Sequence, residues 1–512
     1  MRIGVVPILD RSWGGIYQYS VTLLEAIADL ALPDEIVVFV GEGEALPESV
    51  ATRGFTVVPL APEQRGGSMR RVLLSVAPPG LVRGLSDRIY RRRHTETGGF
   101  TGADAQDHWR RFFGAHDLDL LIFGAHDERS FRSGVPYVVA IHDLQHRLRP
   151  DLPEFAAEGG WHRREYRVRN SIAHALTVLV DSEVGKEDVL QLYAETGIAP
   201  SSVQVLPFVP AATIQGEVTP EMRARVRARY GLPDRFLFYP AQFWPHKNHE
   251  RLVQALGLLA GEGLRIPLVL VGSKTGALRR RTFGTVMAAA RRACVSDLVR
   301  YLGYVADDAM PVLYADAVAL VMPTFFGPTN IPVLEAWSHD CPVITSDLRG
   351  IREQVGPAGV LVDPESPSAI AEGIRSVLKD PGLRDRLVRE GRARLGAFTR
   401  EEFTTRVGAV IEWRGGAGLR CLRWLLRCPL RRQRLRSRVR LRGGRAPRGR
   451  PAPGSTHPGS GMRHRGPRAP ARAAGLPGHR RGPVARDDRT GRREGGSCRR
   501  DRPLPRRRHP GP

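Results

Sequence analysis

Short apolar runs alternate with helical stretches along most of this chain, and the alternation runs through two separate series. That pattern constrains the fold more than any other feature. Strands buried on both faces read as continuous apolar runs, and parallel strands need crossover helices between them. The first series opens with the strand Met1–Pro7, a Gly-containing turn at Trp13-Gly14-Gly15, and a helix over Ile16–Leu30. Strands are then predicted at Glu35–Val40, Phe55–Leu60, Asp119–Phe123, Tyr137–Ile141, Ala175–Val180 and Val203–Leu206, with helices over Trp161–Ile172 and Lys186–Tyr193. After a polar segment, Glu217–Pro233, a second series starts at Phe236–Tyr239. It runs through strands at Pro267–Val271, Val299–Tyr301, Ala317–Met322 and Pro342–Thr345, and Glu353–Val362 with the helix Pro367–Leu378 closes it. The fold class is α/β: two Rossmann-like, doubly wound domains facing a cleft. The boundaries expected are 1–207, 208–399, a crossover helix at 400–414, and a tail over 415–512.

Charge separates the tail from the body. The net charge of +25 would suggest a nucleic-acid partner if it were spread evenly. Residues 415–512 instead hold 29 Arg, no Lys and 4 acidic residues, while residues 1–414 balance 49 basic against 49 acidic side chains. The tail is rich in Arg, Gly and Pro and cannot bury a core. It is read as disordered, or as the product of an out-of-frame stretch in GC-rich coding DNA; a basic arm for lipid or nucleic acid is the alternative. The neutral body makes nucleic acid a disfavoured partner. Cys294, Cys341, Cys421, Cys428 and Cys498 follow no zinc spacing and suggest a reducing compartment. The start MRIGVVPILD has no leader-like apolar region, and no run is long enough to span a bilayer. A cytoplasmic protein is expected. The Arg91-Arg92-Arg93 cluster beside Leu81, Val82, Leu85 and Tyr90 leaves open peripheral contact at the inner membrane face.

Ligands of open α/β sheets bind beyond the carboxyl ends of the strands, and four segments fall there. In the first, Met322-Pro-Thr-Phe-Phe-Gly-Pro-Thr-Asn-Ile-Pro-Val-Leu-Glu335, a strand ends, a loop turns and a helix starts near Pro332. A helix start offers N–H groups and dipole to an anion such as a diphosphate. Glu335, one turn in, can accept hydrogen bonds from ribose hydroxyls. A capped helix with a solvated glutamate would read the same. The second segment, Tyr239 to His249, places Lys247 between a strand and a helix in a body almost without lysine. The third, Ala140-Ile-His142-Asp143-Leu-Gln-His146, ends a strand of the first series. The fourth is the Gly14-Gly15 turn, where glycine permits close backbone approach to a ligand. Asp117-Leu-Asp119 has the form of a metal-binding DxD, but it leads into an apolar strand and no metal is expected there.

The segment from Met322 to Asp347, with its Pro332-to-Ala336 run and Cys341-Pro-Val-Ile-Thr-Ser-Asp347, resembles the nucleotide-sugar signature of the retaining glycosyltransferases of family 4, the glycosyl transferases group 1. The resemblance covers residues 1 to about 414 and implies the GT-B fold. It implies a nucleoside-diphosphate sugar as donor, a hexose (mannose among the options) as the transferred group, and a glycan or lipid-linked acceptor, as in polysaccharide biosynthesis. It also implies retention of configuration and no metal or other cofactor. His142 and Lys247 would be the catalytic residues. Gly14, Gly15, Gln242, Lys247, Tyr304, Val305, Thr329, Asn330, Ile331 and Glu335 would bind the donor. His146 is expected to be structural or on the acceptor side, and Asp181-Ser182-Glu183 to line the acceptor side. Two positions depart from the pattern. The family's other glutamate falls at Gly327, with Asn330 or the backbone near Thr329 as substitutes. The arginine that pairs with the lysine falls at Ala241 or Gln242, so that charge is missing or comes from elsewhere. A GT-B nucleotide-sugar epimerase, or a nucleic-acid-binding protein using the tail, are the alternatives.

Overall fold

The computed structural model describes residues 1–60, 103–156, 160–211 and 214–415. The Arg91–Arg93 patch and the tail beyond 415 lie outside the described residues.

Among the described residues thirteen strands make two sheets, and every pairing between them is parallel. The first sheet holds β1 (Arg2–Val6), β2 (Glu35–Val40), β3 (Thr56–Pro59), β4 (Leu120–Phe123), β5 (Tyr137–Ala140), β6 (Thr177–Val180) and β7 (Val203–Val205). Their order is β3-β2-β1-β4-β5-β6-β7. The second holds β8 (Leu237–Pro240), β9 (Leu268–Val271), β10 (Val299–Gly303), β11 (Ala319–Met322), β12 (Val343–Ser346) and β13 (Val360–Val362). Their order is β10-β9-β8-β11-β12-β13. Each sheet reverses direction of build-up once, between β1 and β4 and between β8 and β11. These are the topological switch points at which doubly wound sheets open a crevice.

The strands are apolar because helices cover both faces. Ile3 and Val5 of β1 point into one layer of core with Leu23 and Ile27, and Val6 into the other with Phe39 and Phe123. The second sheet has one continuous core running from Ala211 to Leu387. The polar segment Glu217–Pro233 is not a bare linker. It holds the helix Pro220–Tyr230, capped by Thr219, whose Oγ1 accepts from the Met222 N–H at 3.2 Å. Gly231 at φ +55° ends that helix, and Val226 packs into the second core. Its apolar signal was weak because a single side of a charged helix is buried. The stretch Glu353–Val362 likewise resolves into the end of a helix, Arg349–Val355, and the short β13.

Helix Arg400–Gly415 follows the second sheet in sequence but packs on the first. Phe403, Val407 and Ile411 join Tyr19, Leu23 and Ile27 in its core. Arg400 donates to Glu25 at 2.7 Å and to Asp29 at 2.7 Å.

Candidate functional site

The two switch points supply the site. On the first sheet, β1 runs out toward the loop 7–14, and helix Gly15–Asp29 begins at Gly14, which sits at φ +56° with no side-chain cap. A Cβ on Gly14 would lie 3.2 Å from Gln242 Nε2, and one on Gly15 3.5 Å from Ile331 Cδ1. The glycine turn is therefore pressed against the loops of the second sheet. Beside it, Gly124 follows β4, and its carbonyl accepts from His142 Nε2 at 2.7 Å. His142 also meets the Tyr19 ring edge-on at 4.6 Å. Burial lowers the His142 pKa, the Gly124 carbonyl opposing it.

On the second sheet, the loop after β8 carries Gln242 and Lys247. Gln242 Nε2 donates to the Ser12 carbonyl at 2.8 Å, across the cleft. Gln242 Oε1 accepts from Trp244 Nε1 at 3.1 Å and from Arg279. Lys247 is half-buried, and burial brings its pKa down to about 8. Asp143 and Glu154 oppose that fall, yet each is engaged elsewhere: Asp143 with Arg164 at 2.6 Å, Glu154 with His246 at 2.8 Å. Lys247 has no carboxylate of its own among the described residues.

The loop after β11 supplies the rest. Glu335, on helix Ile331–Ser338, is buried, and its pKa is pushed up to about 7 by burial. Tyr314 Oη donates to one oxygen at 2.6 Å. The other accepts a long 3.4 Å contact from Gln18 Nε2 on the first sheet's helix. Neither Gln18 nor Tyr314 carries a signal in sequence; one is 317 residues from Glu335.

Several expected residues have a narrower place than their positions suggested. The helix start is only partly open: Pro332 has no N–H, and the Asn330 N–H donates to Gln354 Oε1 at 2.9 Å. Gln354 Nε2 returns a bond to the Asn330 carbonyl at 3.0 Å. The Asn330 side chain lies over Gly327, and its Nδ2 is a buried donor with no partner. Ile331 is buried against the Gly15 turn. Thr329 Oγ1 donates to Asp181 of the first sheet. Asp181 is buried, with its pKa pushed up to about 7 by burial. It is Asp181, rather than its neighbours, that lines a pocket with His142, Asp143, Phe326 and Pro328. Ser182 caps helix Glu183–Leu192, accepting from the Gly185 N–H at 3.0 Å. Val305 is packed into the second core, so only its backbone can reach a ligand, whereas Tyr304 is 69% exposed.

His146 is fully buried and bonded to Glu165 at 3.0 Å and Tyr193 at 3.2 Å, a packing role. Asp119 accepts from the Arg2 N–H at 2.9 Å, at the amino end of β4 and away from the strand ends that form the site.

Two doubly wound parallel sheets with their switch-point loops interlocked are the GT-B architecture of glycosyltransferases. Sucrose-phosphate synthase from Thermosynechococcus elongatus shares it, with a TM-score of 0.61 at 19% identity over 82% of this chain and 100% of that one. So does the Anabaena protein HepE in complex with UDP and glucose, at a TM-score of 0.57, 17% identity, 80% of this chain and 99% of that one. Residues 223–394 match the family model described as glycosyl transferases group 1, and the chain carries a domain of that family. The O-antigen chain mannosyltransferase B of Escherichia coli is 30% identical over 261 residues, 49% of this chain. The match spans 65% of that relative's length.

Proposed function

We propose that the protein is a glycosyltransferase that moves a hexose from a nucleoside-diphosphate sugar to a glycan or lipid-linked acceptor, with retention and without a metal. The observation that carries this reading is that the segments following β8 and β11, the two strands at the second sheet's switch point, carry Lys247, which has no carboxylate partner among the described residues, and the buried carboxylate Glu335. The two have opposite tasks. Lys247 faces the charge that grows on the departing diphosphate, and a fixed cation there lowers the barrier. Glu335 keeps one oxygen on Tyr314 and holds the other only by a 3.4 Å contact with Gln18. A ribose hydroxyl can displace that contact and bind more strongly. Val305 and Tyr304 border the base, and Asn330 Nδ2, unpartnered in its buried position, suits a sugar hydroxyl.

On the first sheet, His142 presents its ring beside Gly124 and Tyr19 to the transferring sugar. The narrow pocket at Asp181 and Phe326 adjoins it and marks the side from which the acceptor would approach once the cleft opens. The bond from the anomeric carbon to the diphosphate oxygen breaks. The bond to the acceptor oxygen forms on the same face, and the acceptor proton passes to the departing phosphate. Mannose is the sugar favoured by the O-antigen mannosyltransferase relative. A UDP-sugar is the competing donor, favoured by the fold neighbour that holds UDP and glucose.

The reading is tested by ligand-induced thermal stabilisation with GDP-mannose, UDP-glucose and other nucleotide sugars, followed by product analysis with the one that binds. Stabilisation by a member of the panel and transfer to a polyol or glycan acceptor is the expected result. No stabilisation by any of them overturns the reading.

A further inference from the structure

The loop after β8 has no arginine near Lys247; a guanidinium reaches it from another element. Arg279 lies in the first turn of helix Ala277–Arg292 and extends to Gln242 Oε1. Its Nε donates to the Thr275 carbonyl, and its guanidinium lies 4.8 Å over the Trp244 ring. Both hydrogen-bond acceptors are neutral. Asp10 attracts the group from a distance, but burial outweighs it and lowers the Arg279 pKa. Asp10 itself is occupied, accepting from Ser12 N at 2.8 Å and Ser12 Oγ at 2.9 Å. Among the described residues the hydrogen bonds of Arg279 go only to neutral oxygens, so this half-buried guanidinium is an incompletely satisfied cation with most of its N–H donors left over.

The surroundings fix where those donors can be met. Gln242 Oε1 is saturated by Arg279 and Trp244. Its amide therefore points the other way, onto Ser12 of the first sheet, 3.2 Å from the position of a Gly14 Cβ. Arg279 is thus tied through one side chain to the uncapped start of helix Gly15–Asp29. Lys247 stands on the same loop as Gln242. The place of Arg279 over the Trp244 ring leaves its remaining N–H donors for a planar or tetrahedral oxyanion.

We propose that Arg279 is a diphosphate ligand of the donor site, supplying from the helix after β9 the positive charge that the β8 loop lacks at 241 and 242. Gln242 positions that guanidinium against the Gly14 turn rather than binding phosphate itself. The inference rests on the nucleotide-sugar reading for the identity of the ligand, but the anion site is defined by the residues alone.

Calorimetric titration of the full chain with inorganic pyrophosphate, UDP, GDP and the free nucleosides tests it. Arg279→Gln keeps an N–H donor for Gln242 and removes the charge. It should weaken pyrophosphate and nucleoside-diphosphate binding by about 10- to 100-fold, the usual weight of a charge-assisted contact. Nucleoside binding should be unchanged. Arg279→Lys should retain more affinity than Arg279→Gln at an unchanged melting temperature, which separates charge from packing. Diphosphate binding by Arg279→Gln equal to the parent overturns the assignment and leaves the glycosyltransferase reading standing. Arg279-dependent pyrophosphate binding without any binding of nucleotides does the reverse. A parent chain that binds neither overturns both.

Discussion

In the proposed reaction the chemistry turns on Lys247, and its stability cost and catalytic value have opposite signs. A cation buried without a carboxylate partner destabilises the fold that holds it. Lys247→Ala should therefore leave the melting temperature unchanged or raise it, while turnover falls by about 10²–10³-fold. Steady-state kinetics beside a thermal melt checks both; full turnover in the variant would remove Lys247 from the mechanism. The pH dependence follows from the same burial. In the proposed complex an ionised Glu335 accepts ribose hydroxyls more strongly than the neutral acid, and its pKa is pushed up to about 7. Lys247 acts only when protonated, and its pKa is brought down to about 8. The competent free enzyme is thus confined to a narrow window, and kcat/KM should fall below about pH 7 and above about pH 8. Asp181 is also pushed up to about 7, so the acid limb needs assignment. Glu335→Gln should abolish the limb, with a lower plateau, and Asp181→Asn should keep it. The opposite pattern would give the limb to Asp181 and end the role argued for Glu335.

At the level of elements, the loop between β11 and helix Ile331–Ser338 shows why a motif can change without leaving a gap. Gly327 sits at φ +143°, a region that side chains rarely enter, and a Cβ there would lie 3.0 Å from Asn330 Oδ1. Gly350 allows the same loop to close from the other side, where a Cβ would come within 2.4 Å of the Pro328 carbonyl. The loop is built around these two glycines, so restoring the family's glutamate is not a repair. Gly327→Glu should destabilise the protein by about 1–3 kcal/mol and lower donor affinity; a gain in activity with no loss of melting temperature would refute this account. Sequence carried the strands of both sheets because parallel strands buried on both faces are apolar throughout; β2 was placed at Glu35–Val40, its extent in the structure. It carried less of the helix Pro220–Tyr230, where a single buried face is diluted by arginines. Of the proposed site, it singled out Gly14, Lys247, His142 and Glu335, which lie in the loops and helix starts that follow strands. It missed Gln18, Tyr314, Arg279 and Gln354, which act on those residues only through the tertiary fold and have no local pattern to mark them.

Across the body, residues 1–415, the two sheets are joined both by chain and by polar contacts. Helix Arg400–Gly415 ties the end of the second half into the core of the first. Across the cleft, the Glu353 carboxylate accepts from the Glu183 and Val184 N–H groups at 2.8 and 2.9 Å, at the start of helix Glu183–Leu192. Arg349 from the same helix as Glu353 donates to Asp188 at 2.9 Å. Glu154 accepts from the His246 N–H at 2.9 Å, next to Lys247. These contacts hold the cleft shut, with Thr329 bonded to Asp181 and Gln242 to Ser12 inside it. A donor and an acceptor can enter only if some of them part, so their strength sets the fraction of open molecules. An anion at a helix start is worth up to about 2 kcal/mol, enough to move an open–closed ratio by about tenfold or more. Glu353→Ala should therefore shift the free protein toward the open form, seen as a larger radius of gyration in small-angle scattering. Adding the nucleotide sugar should draw the variant back toward the compact form, because Lys247, Arg279 and Glu335 on one side and the Gly14 turn on the other then share a ligand. A variant as compact as the parent before ligand is added would show that Glu353 does not govern closure, and that the bonds at His246 and Ser12 hold the cleft without it.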